Sequence, residues 1–384
     1  MDRQEFKNTT ALQERLHRDG VDMALITDED SIAYFAGAWG YLGMEFGRPT
    51  MMLVPADGTC TVITPLMETA MVREMTWVED VRSWEDGGDR DWDRVLATAL
   101  GPDRSMRLGL EVYKIHPRIS GFLSDSYPGA AQVDLAPAIG EMRMIKSADE
   151  IDIMRQAGQV AIAMVEAGKA VLGEGVPEYE IAIAINAAGT RKAAGYLDAD
   201  GLGRFVSPTI HNLQVLQSGH DTSMVHRRSS VRELQRGDPV YMCFCGMIDF
   251  KNYKLGFDRE FFIGTVTDEQ ARTYEATIAA QAAALREIRP GAIAEDVHFA
   301  ANEAYQSAGF SPGYRTGRAI GYSNLEAPEI KVGDRTALQE GMTFAVDGGI
   351  TVDGKFGTRV GDSIVVTADG FEFLTPFPKD LCVI

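Results

Sequence analysis

The chain has 384 residues, 45% of them hydrophobic and 24% charged. At roughly 150 residues per domain, that length points to two or three domains with sizeable cores, and the composition excludes bulk disorder. Asp and Glu total 56 against 37 Lys and Arg, a formal charge of −19, which repels phosphate backbones and anionic headgroups and argues against nucleic acid or membrane partners.

The opening stretch MDRQEFKNTTALQERL lacks a basic segment followed by an apolar one, and the apolar run Ala161 to Leu172 is interrupted by Glu166 and Lys169. Neither a signal peptide nor a spanning helix is expected, so the expected location is the cytoplasm. Cysteines at 60, 243, 245 and 382 are too sparse for a disulfide framework and read as free thiols in a reducing compartment.

From Thr9 to about Ala136, helical stretches alternate with short apolar runs, MALIT (23–27), MMLVP (51–55), CTVIT (60–64) and MRLGLEV (106–112). This alternation predicts an α/β layer domain, with EDGGDRDWD (85–93) as a charged loop. The character changes at RMIKSADE (143–150), where Ser147 followed by Glu150 fits a capping box. Apolar positions 151, 154, 157, 161, 164, 165 and 171 then recur at helical spacing up to Gly173 and Gly175. The domain boundary is placed just before this long amphipathic helix, giving domains 1–142 and 143–384.

The second domain reads as a helix (178–195), an irregular segment, strands (239–245 and 257–266), helices (268–288 and 294–309) and strands near 342–350 and 359–367. Helix pairs followed by strand pairs thus appear twice, in 148–266 and 268–367, a pattern-level internal duplication.

Polar residues at strand ends are the places to seek chemistry, because a half-buried sheet excludes water while fixing side chains. His226 stands in HRRSS and reads either as a functional imidazole or as a surface histidine beside two arginines. Asp258 and Arg259 enter the apolar strand of FDREFFIG and read either as a site or as a charged pair at its solvent end. Asp347, in FAVDGGI, serves equally well as an acid or as a strand-ending Asp-Gly turn. Arg48 in EFGRPT and Arg318 in RTGRAIG are flanked by small residues that let a guanidinium fork face a carboxylate.

In their order along the chain, RMIKSADEIDIMRQA, VLQSGHDTSMVHRRSSVRELQRGDPV, REFFIG, TGRAIG with a downstream EAP, EGMTFAVDGG and GTRVGDSIVVTADG resemble the creatinase/prolidase/methionine aminopeptidase family. The resemblance covers 143–370 and extends more weakly through YFAG and GLEV. It implies a mixed α/β protein: an N-terminal creatinase-like domain followed by a pita-bread catalytic domain with a pseudo-twofold repeat.

The family's metallopeptidases hold two metals through Asp, Asp, His, Glu and Glu. Carried onto this chain, those positions fall at Cys243 (or Cys245), near Gly256, and at Arg318, Asp347 and Gly361. Only Asp347 keeps a hard ligand, and an arginine within a ligand ring repels cations, so neither a metal nor another cofactor is expected. The local similarity is closest to creatinase, which cleaves a C–N bond of creatine without metal.

On that resemblance His226 is the catalytic general acid and base, Asp258 and Asp347 are substrate carboxylates one methylene shorter than creatinase's, and Arg48 is a substrate arginine reaching across a homodimer. Arg318 takes the place of a second carboxylate-binding arginine that this chain lacks. The expectation is therefore a metal-independent, creatinase-like amidinohydrolase acting on a non-peptide C–N bond (amidine, guanidino, ureido or cyclic amidine) of a small zwitterionic acid. The alternatives are elimination on a small carboxylate, as in dimethylsulfoniopropionate lyases, and a catalytically inactive binding member of the fold.

Overall fold

The computed structural model describes residues 3–38, 47–210, 215–244, 249–311 and 313–384, and the chain divides into two compact units, Met1–Met142 and Arg143–Ile384. In the first unit the strands are β1 (Met23–Ile26), β2 (Met51–Pro55), β3 (Thr61–Pro65), β4 (Asp80–Trp84), β5 (Arg107–Leu110) and β6 (Ala131–Asp134). They form one mixed sheet in the order β4-β3-β2-β1-β5-β6. Its helices are α1 (Gln4–Asp19), α2 (Glu29–Ala36), α3 (Thr69–Met75), α4 (Trp92–Leu100) and α5 (Pro117–Ser126), with α6 (Ala136–Met144) running over the boundary. Each of the four apolar runs read from the sequence contributes a strand, and Leu25, Leu53, Trp84, Leu96, Leu108 and Leu123 pack together as a core. β6 escaped the sequence reading because AQVD is mostly exposed and carries no apolar alternation.

The second unit opens with α7 (Ala148–Val171), and the capping box is formed: the Glu150 N–H donates to Ser147 Oγ at 3.3 Å and the Ser147 N–H to Glu150 Oε2 at 2.7 Å. Met154, Ala157, Ala161, Met164 and Val165 form its buried face. Gly158 has a steric cause, since a Cβ there would fall 1.8 Å from the Leu374 carbonyl oxygen. Next come α8 (Glu178–Ala199), β7 (Val215–Ser218), β8 (Pro239–Cys243), a two-stranded excursion of β9 (Asp249–Phe250) and β10 (Tyr253–Lys254), and β11 (Asp258–Phe262). The second half is α9 (Asp268–Glu287), α10 (Ala294–Ser307), β12 (Arg315–Ala319), β13 (Glu326–Lys331), β14 (Thr343–Val352), β15 (Phe356–Val366) and β16 (Phe371–Phe373).

One large sheet runs β13-β12-β14-β15-β11-β8-β7. Its halves, β7-β8-β11 and β12-β14-β15, meet in mirrored order at the β11/β15 seam, where Asp258 pairs with Gly361. Each half is preceded by its own helix pair, which is the repeat expected of a pita-bread domain. The apolar core of the second half joins α9, α10 and the strands through Leu285, Val297, Ile330, Phe344 and Ile364. Fully burying a side chain such as Phe344 contributes about 1.5–3 kcal/mol.

Three boundaries differ from the sequence reading. The strand expected over 257–266 ends at Phe262, because the backbone turns at Gly264 with φ +67 and its N–H bonds to the Ile384 carbonyl. The segment read as irregular contains β7, whose four residues are all buried and so show no alternation. The strand expected to reach Cys245 is described to Cys243, and Cys245 lies outside the described residues. No described helix is long and apolar enough to cross a membrane.

Candidate active site

The seam generates the site. Cross-strand register places Asp258 opposite both Cys243 and Gly361, and Asp347 opposite Gly361 from the other side. Gly361 is what lets the two acids approach: a Cβ there would lie 2.5 Å from Asp258 Oδ2 and 3.0 Å from Asp347 Cβ. Around them is a pocket of about 430 Å³, whose lining includes His226, Tyr241, Asp258, Arg318, Asp347 and Arg359. That volume suits a ligand of dipeptide size.

Asp258 is 3% exposed and accepts a hydrogen bond from the Tyr241 hydroxyl at 3.1 Å. Burial and then the neighbouring charge of Asp347 push its carboxyl above the ordinary range, against opposing contributions from Cys243, Arg318 and Tyr241. The site therefore holds an acid biased toward keeping its proton. Asp347 forms an ion pair with Arg318, whose Nε donates to the Asn324 carbonyl at 2.8 Å. This pair faces the pocket as a nearly neutral unit.

Arg259 does not pair with the Asp258 carboxylate, and neither lies at a solvent-facing strand end. Successive strand residues point to opposite faces, and all five guanidinium donors are engaged on the far side. Nη2 donates to Asp362 Oδ1 and the Phe377 carbonyl, both at 2.6 Å, and Nε to the Pro378 carbonyl at 3.1 Å. Nη1 donates to the Asp258 and Gly361 carbonyls at 2.7 and 2.8 Å. Arg259 thus ties β11 to β15 and to the segment after β16.

His226 sits at the pocket mouth, exposed, beyond the 3-10 turn Gly219–Ser223. Its loop is fastened by Glu178, which is wholly buried at the start of α8. Glu178 accepts from Ser218 Oγ at 2.7 Å, from Arg227 at 2.7 and 3.0 Å, and from the Ser230 N–H and Oγ at 2.8 and 2.7 Å. Burial alone would raise its pKa, but bonds from Arg227, Ser218 and Ser230 outweigh that and leave it below the ordinary value. His220, the other histidine of the QSGHDTSMVH stretch, is exposed and meets Asp221 at 3.0 Å.

The structure thus gathers His226, Asp258, Asp347 and Arg318 around one pocket. Arg48 belongs to the first unit, where it pairs with Asp86. Sequence reasoning missed Tyr241, Arg359 and Glu260. Strand alternation was the available signal for Arg359, since it stands two residues before Gly361 and so shares its face. Glu260, 1% exposed on β11, was hidden inside an apolar run; burial pushes it up to about 8, and its Oε1 has no hydrogen-bond partner.

Residues 152–368 match metallopeptidase family M24, and residues 9–145 match the creatinase/prolidase N-terminal domain. The chain belongs to family M24. Among its relatives it is 29% identical over 381 residues to the probable dipeptidase PepE of Mycobacterium bovis, covering 95% of this chain and 92% of that one. It is 26% identical over 383 residues to the Xaa-Pro dipeptidase of Lactobacillus helveticus, covering 98% and 99%. It is also 27% identical over 383 residues to an agropine synthesis cyclase of Rhizobium rhizogenes, covering 95% and 94%. The prolidase of Thermococcus sibiricus superposes with a TM-score of 0.87 at 22% identity over the whole of both chains, which establishes the fold.

These relatives overturn the functional expectation drawn from the sequence. Two end-to-end relatives are named for dipeptides, so a creatinase-like amidinohydrolase acting on a non-peptide C–N bond is withdrawn, and the lyase and inactive-binder alternatives find no support among them. The expectation rested on His226 and a pair of acids at strand ends, and a peptidase fold supplies such positions equally well.

Family M24 is named for metallopeptidases, so the donor set bears on whether cations fit here. Among the described residues no group of three or more His, Cys, Asp or Glu side chains gathers as metal ligands would. Of the two pocket aspartates, one is engaged by Arg318 and the other is biased toward its protonated form. Two hard divalent cations need several anionic oxygens or imidazoles, and the described residues do not fit them.

Proposed function

We propose that this M24 member is a hydrolase of small amino-acid conjugates, cleaving the peptide-type amide bond of a dipeptide-sized substrate held in the seam pocket. The observation that carries this reading is the buried Asp258, its carboxyl pushed above the ordinary range, beside the Arg318–Asp347 pair, in a chain related end to end to dipeptidases. Amide cleavage needs a proton on the leaving nitrogen, a deprotonated water at the carbonyl carbon and a place for the developing negative charge.

Asp258 gives its proton to the leaving nitrogen, and the Tyr241 hydroxyl, which already donates to Asp258 Oδ1, supports the carboxylate left behind. His226 at the mouth takes a proton from the attacking water. The Arg318–Asp347 pair forms the polar wall against which the carbonyl lies. The same reading keeps a homodimer in the cytoplasm, with Arg48 contributing to the partner's substrate site; light scattering at twice the monomer mass tests the dimer.

A second reading, intramolecular acyl transfer that closes a ring, is favoured by the 27% identity to a cyclase over 95% of this chain. One experiment addresses both. The protein is incubated in ¹⁸O-water with a panel of dipeptides, Xaa-Pro included, and of linear amino-acid conjugates, and products are followed by mass spectrometry. Hydrolysis places one ¹⁸O in a released carboxylate, whereas cyclisation gives an unlabelled product. The reading expects His226→Ala to keep less than a tenth of wild-type turnover. Absence of turnover on the whole panel, or a His226→Ala variant as active as wild type, overturns it.

A further inference from the structure

Three tyrosines line the seam pocket, Tyr241, Tyr305 and Tyr314, and their hydroxyls differ. Tyr241 donates to Asp258 at 3.1 Å, and Tyr314 is largely exposed to solvent. Tyr305, on α10, is only 4% exposed. Among the described residues nothing hydrogen-bonds to its hydroxyl.

The ring is held in an apolar cluster with Ala276 and Ala280 of α9 and Ile350 of β14, with Phe310 packed against it. Its hydroxyl stands where a side chain at position 348 would be: a Cβ on Gly348 would fall 2.7 Å from Tyr305 Oη. Gly348 directly follows Asp347, so the hydroxyl lies beside the Arg318–Asp347 pair. Burial pushes it well above the usual phenol range, while the charges of Arg359 and Asp347 act in opposite directions. It therefore remains a neutral donor across the physiological range.

Buried polar groups almost always have a partner. A hydroxyl that lacks one in the protein, and opens onto a cavity of ligand size, can take its partner from what enters. Fixed on a rigid ring with no competing bond, it needs no reorganisation to meet developing negative charge. That charge still lacks a donor: His226 and Asp258 move protons, and Arg318 is paired with Asp347.

We propose that Tyr305 is a catalytic residue, its hydroxyl donating to the oxygen of the scissile carbonyl and holding the negative charge that develops there. Water adds to the carbonyl carbon as His226 takes one of its protons, and the C–O π pair moves onto the oxygen facing Tyr305. The pair returns as the C–N bond breaks and the nitrogen takes the Asp258 proton. Tyr305 keeps its own proton throughout.

The inference rests on the amide-hydrolase reading, but its first test reads binding and needs no turnover. Dissociation constants are measured by titration calorimetry for the phosphinic isosteres of Ala-Pro and Ala-Gly, whose tetrahedral P–O⁻ stands in for the intermediate. The matching ketomethylene isosteres stand in for the planar substrate. Wild type binds each phosphinate at least about tenfold more tightly than its ketone, and Tyr305→Phe cuts that preference about ten- to hundredfold, the range of one charge-assisted hydrogen bond. Ketone binding is unchanged. With any dipeptide that is turned over, the variant lowers kcat about 10²- to 10³-fold at unchanged KM, and both limbs of the pH profile stay where they are.

Tyr305→Phe removes only a hydroxyl without a protein partner, so its urea midpoint should match wild type. A tyrosine that served packing alone would weaken both ligands alike. A wild type that does not favour the phosphinate in either pair overturns the assignment, as does a variant that keeps the full preference. So does a pH limb that moves in the variant, which would make Tyr305 a proton carrier. A Tyr305-dependent preference without turnover of any dipeptide sinks the hydrolase reading and leaves the donor standing.

Discussion

Replacing Glu260 by Gln should change how stability depends on pH. Glu260 is 1% exposed, and burial moves its carboxyl from 4.5 to about 8. Between those values the folded chain keeps a proton that the unfolded chain has released, so stability falls as pH rises through this window and is unaffected by the group below it. At about 1.36 kcal/mol per unit, the destabilisation reaches roughly 1 kcal/mol at pH 5 and about 3 kcal/mol at pH 7, where the folded form is still mostly protonated.

Gln has the same shape, and its carbonyl can go on accepting the Arg359 N–H that now reaches Glu260 Oε2 at 3.0 Å. Its amide replaces an Oε1 that has no partner in the first place. The variant should therefore gain on wild type by about 2–3 kcal/mol between pH 5 and 7. Urea unfolding followed by far-ultraviolet circular dichroism at pH 5, 6, 7 and 8 measures this in the unit that holds Glu260, since all four tryptophans lie in the other one. Parallel stability curves for the two proteins, or a variant that loses ground as pH rises, would refute the reasoning by showing that Glu260 is ionised in the fold and held by Arg359.

At the pocket, Asp258→Asn keeps the shape and the bond from Tyr241 but cannot give up a proton; turnover should fall about 10²- to 10⁴-fold with an unchanged circular dichroism spectrum. Gly361→Ala forces a Cβ to within 2.5 Å of Asp258 Oδ2, so it should cost about 1–3 kcal/mol of stability and depress turnover, both measured on one preparation. Arg259→Met leaves Asp362, 1% exposed at the side chain, without its principal cation; calorimetry should show a loss of about 3–5 kcal/mol, although the residue borders no part of the pocket.

How much of this was legible depends on the kind of signal. The capping box at Ser147 and the helical spacing behind it are local, and α7 begins where they require and buries Met154, Ala157, Ala161, Met164 and Val165, while Val171 at its end stays exposed. The seam is not local: β14 and β15 are neighbours in the chain, but Asp258 reaches Gly361 and Asp347 only through pairing of β11 with β15, about a hundred residues further on, and only the resemblance to a family placed them in one site. Arg259 shows the limit of reading neighbours as partners, since strand geometry sends it away from Asp258 and onto Asp362. The bond specificity was misjudged because a histidine and two acids suit several C–N cleavages, and the identity of the acyl group is written in pocket shape rather than in those residue types.

The gap at Gly361 means that the separation of the two acids is dictated by the main-chain ladder and not by rotamer choice. Such a feature can be looked for in other chains without any coordinates: an Asp opening FDREFF, an Asp closing FAVDGG and a glycine in TRVGDS, together, would sort sequences that share this reaction chamber from those that fill it with a further acid.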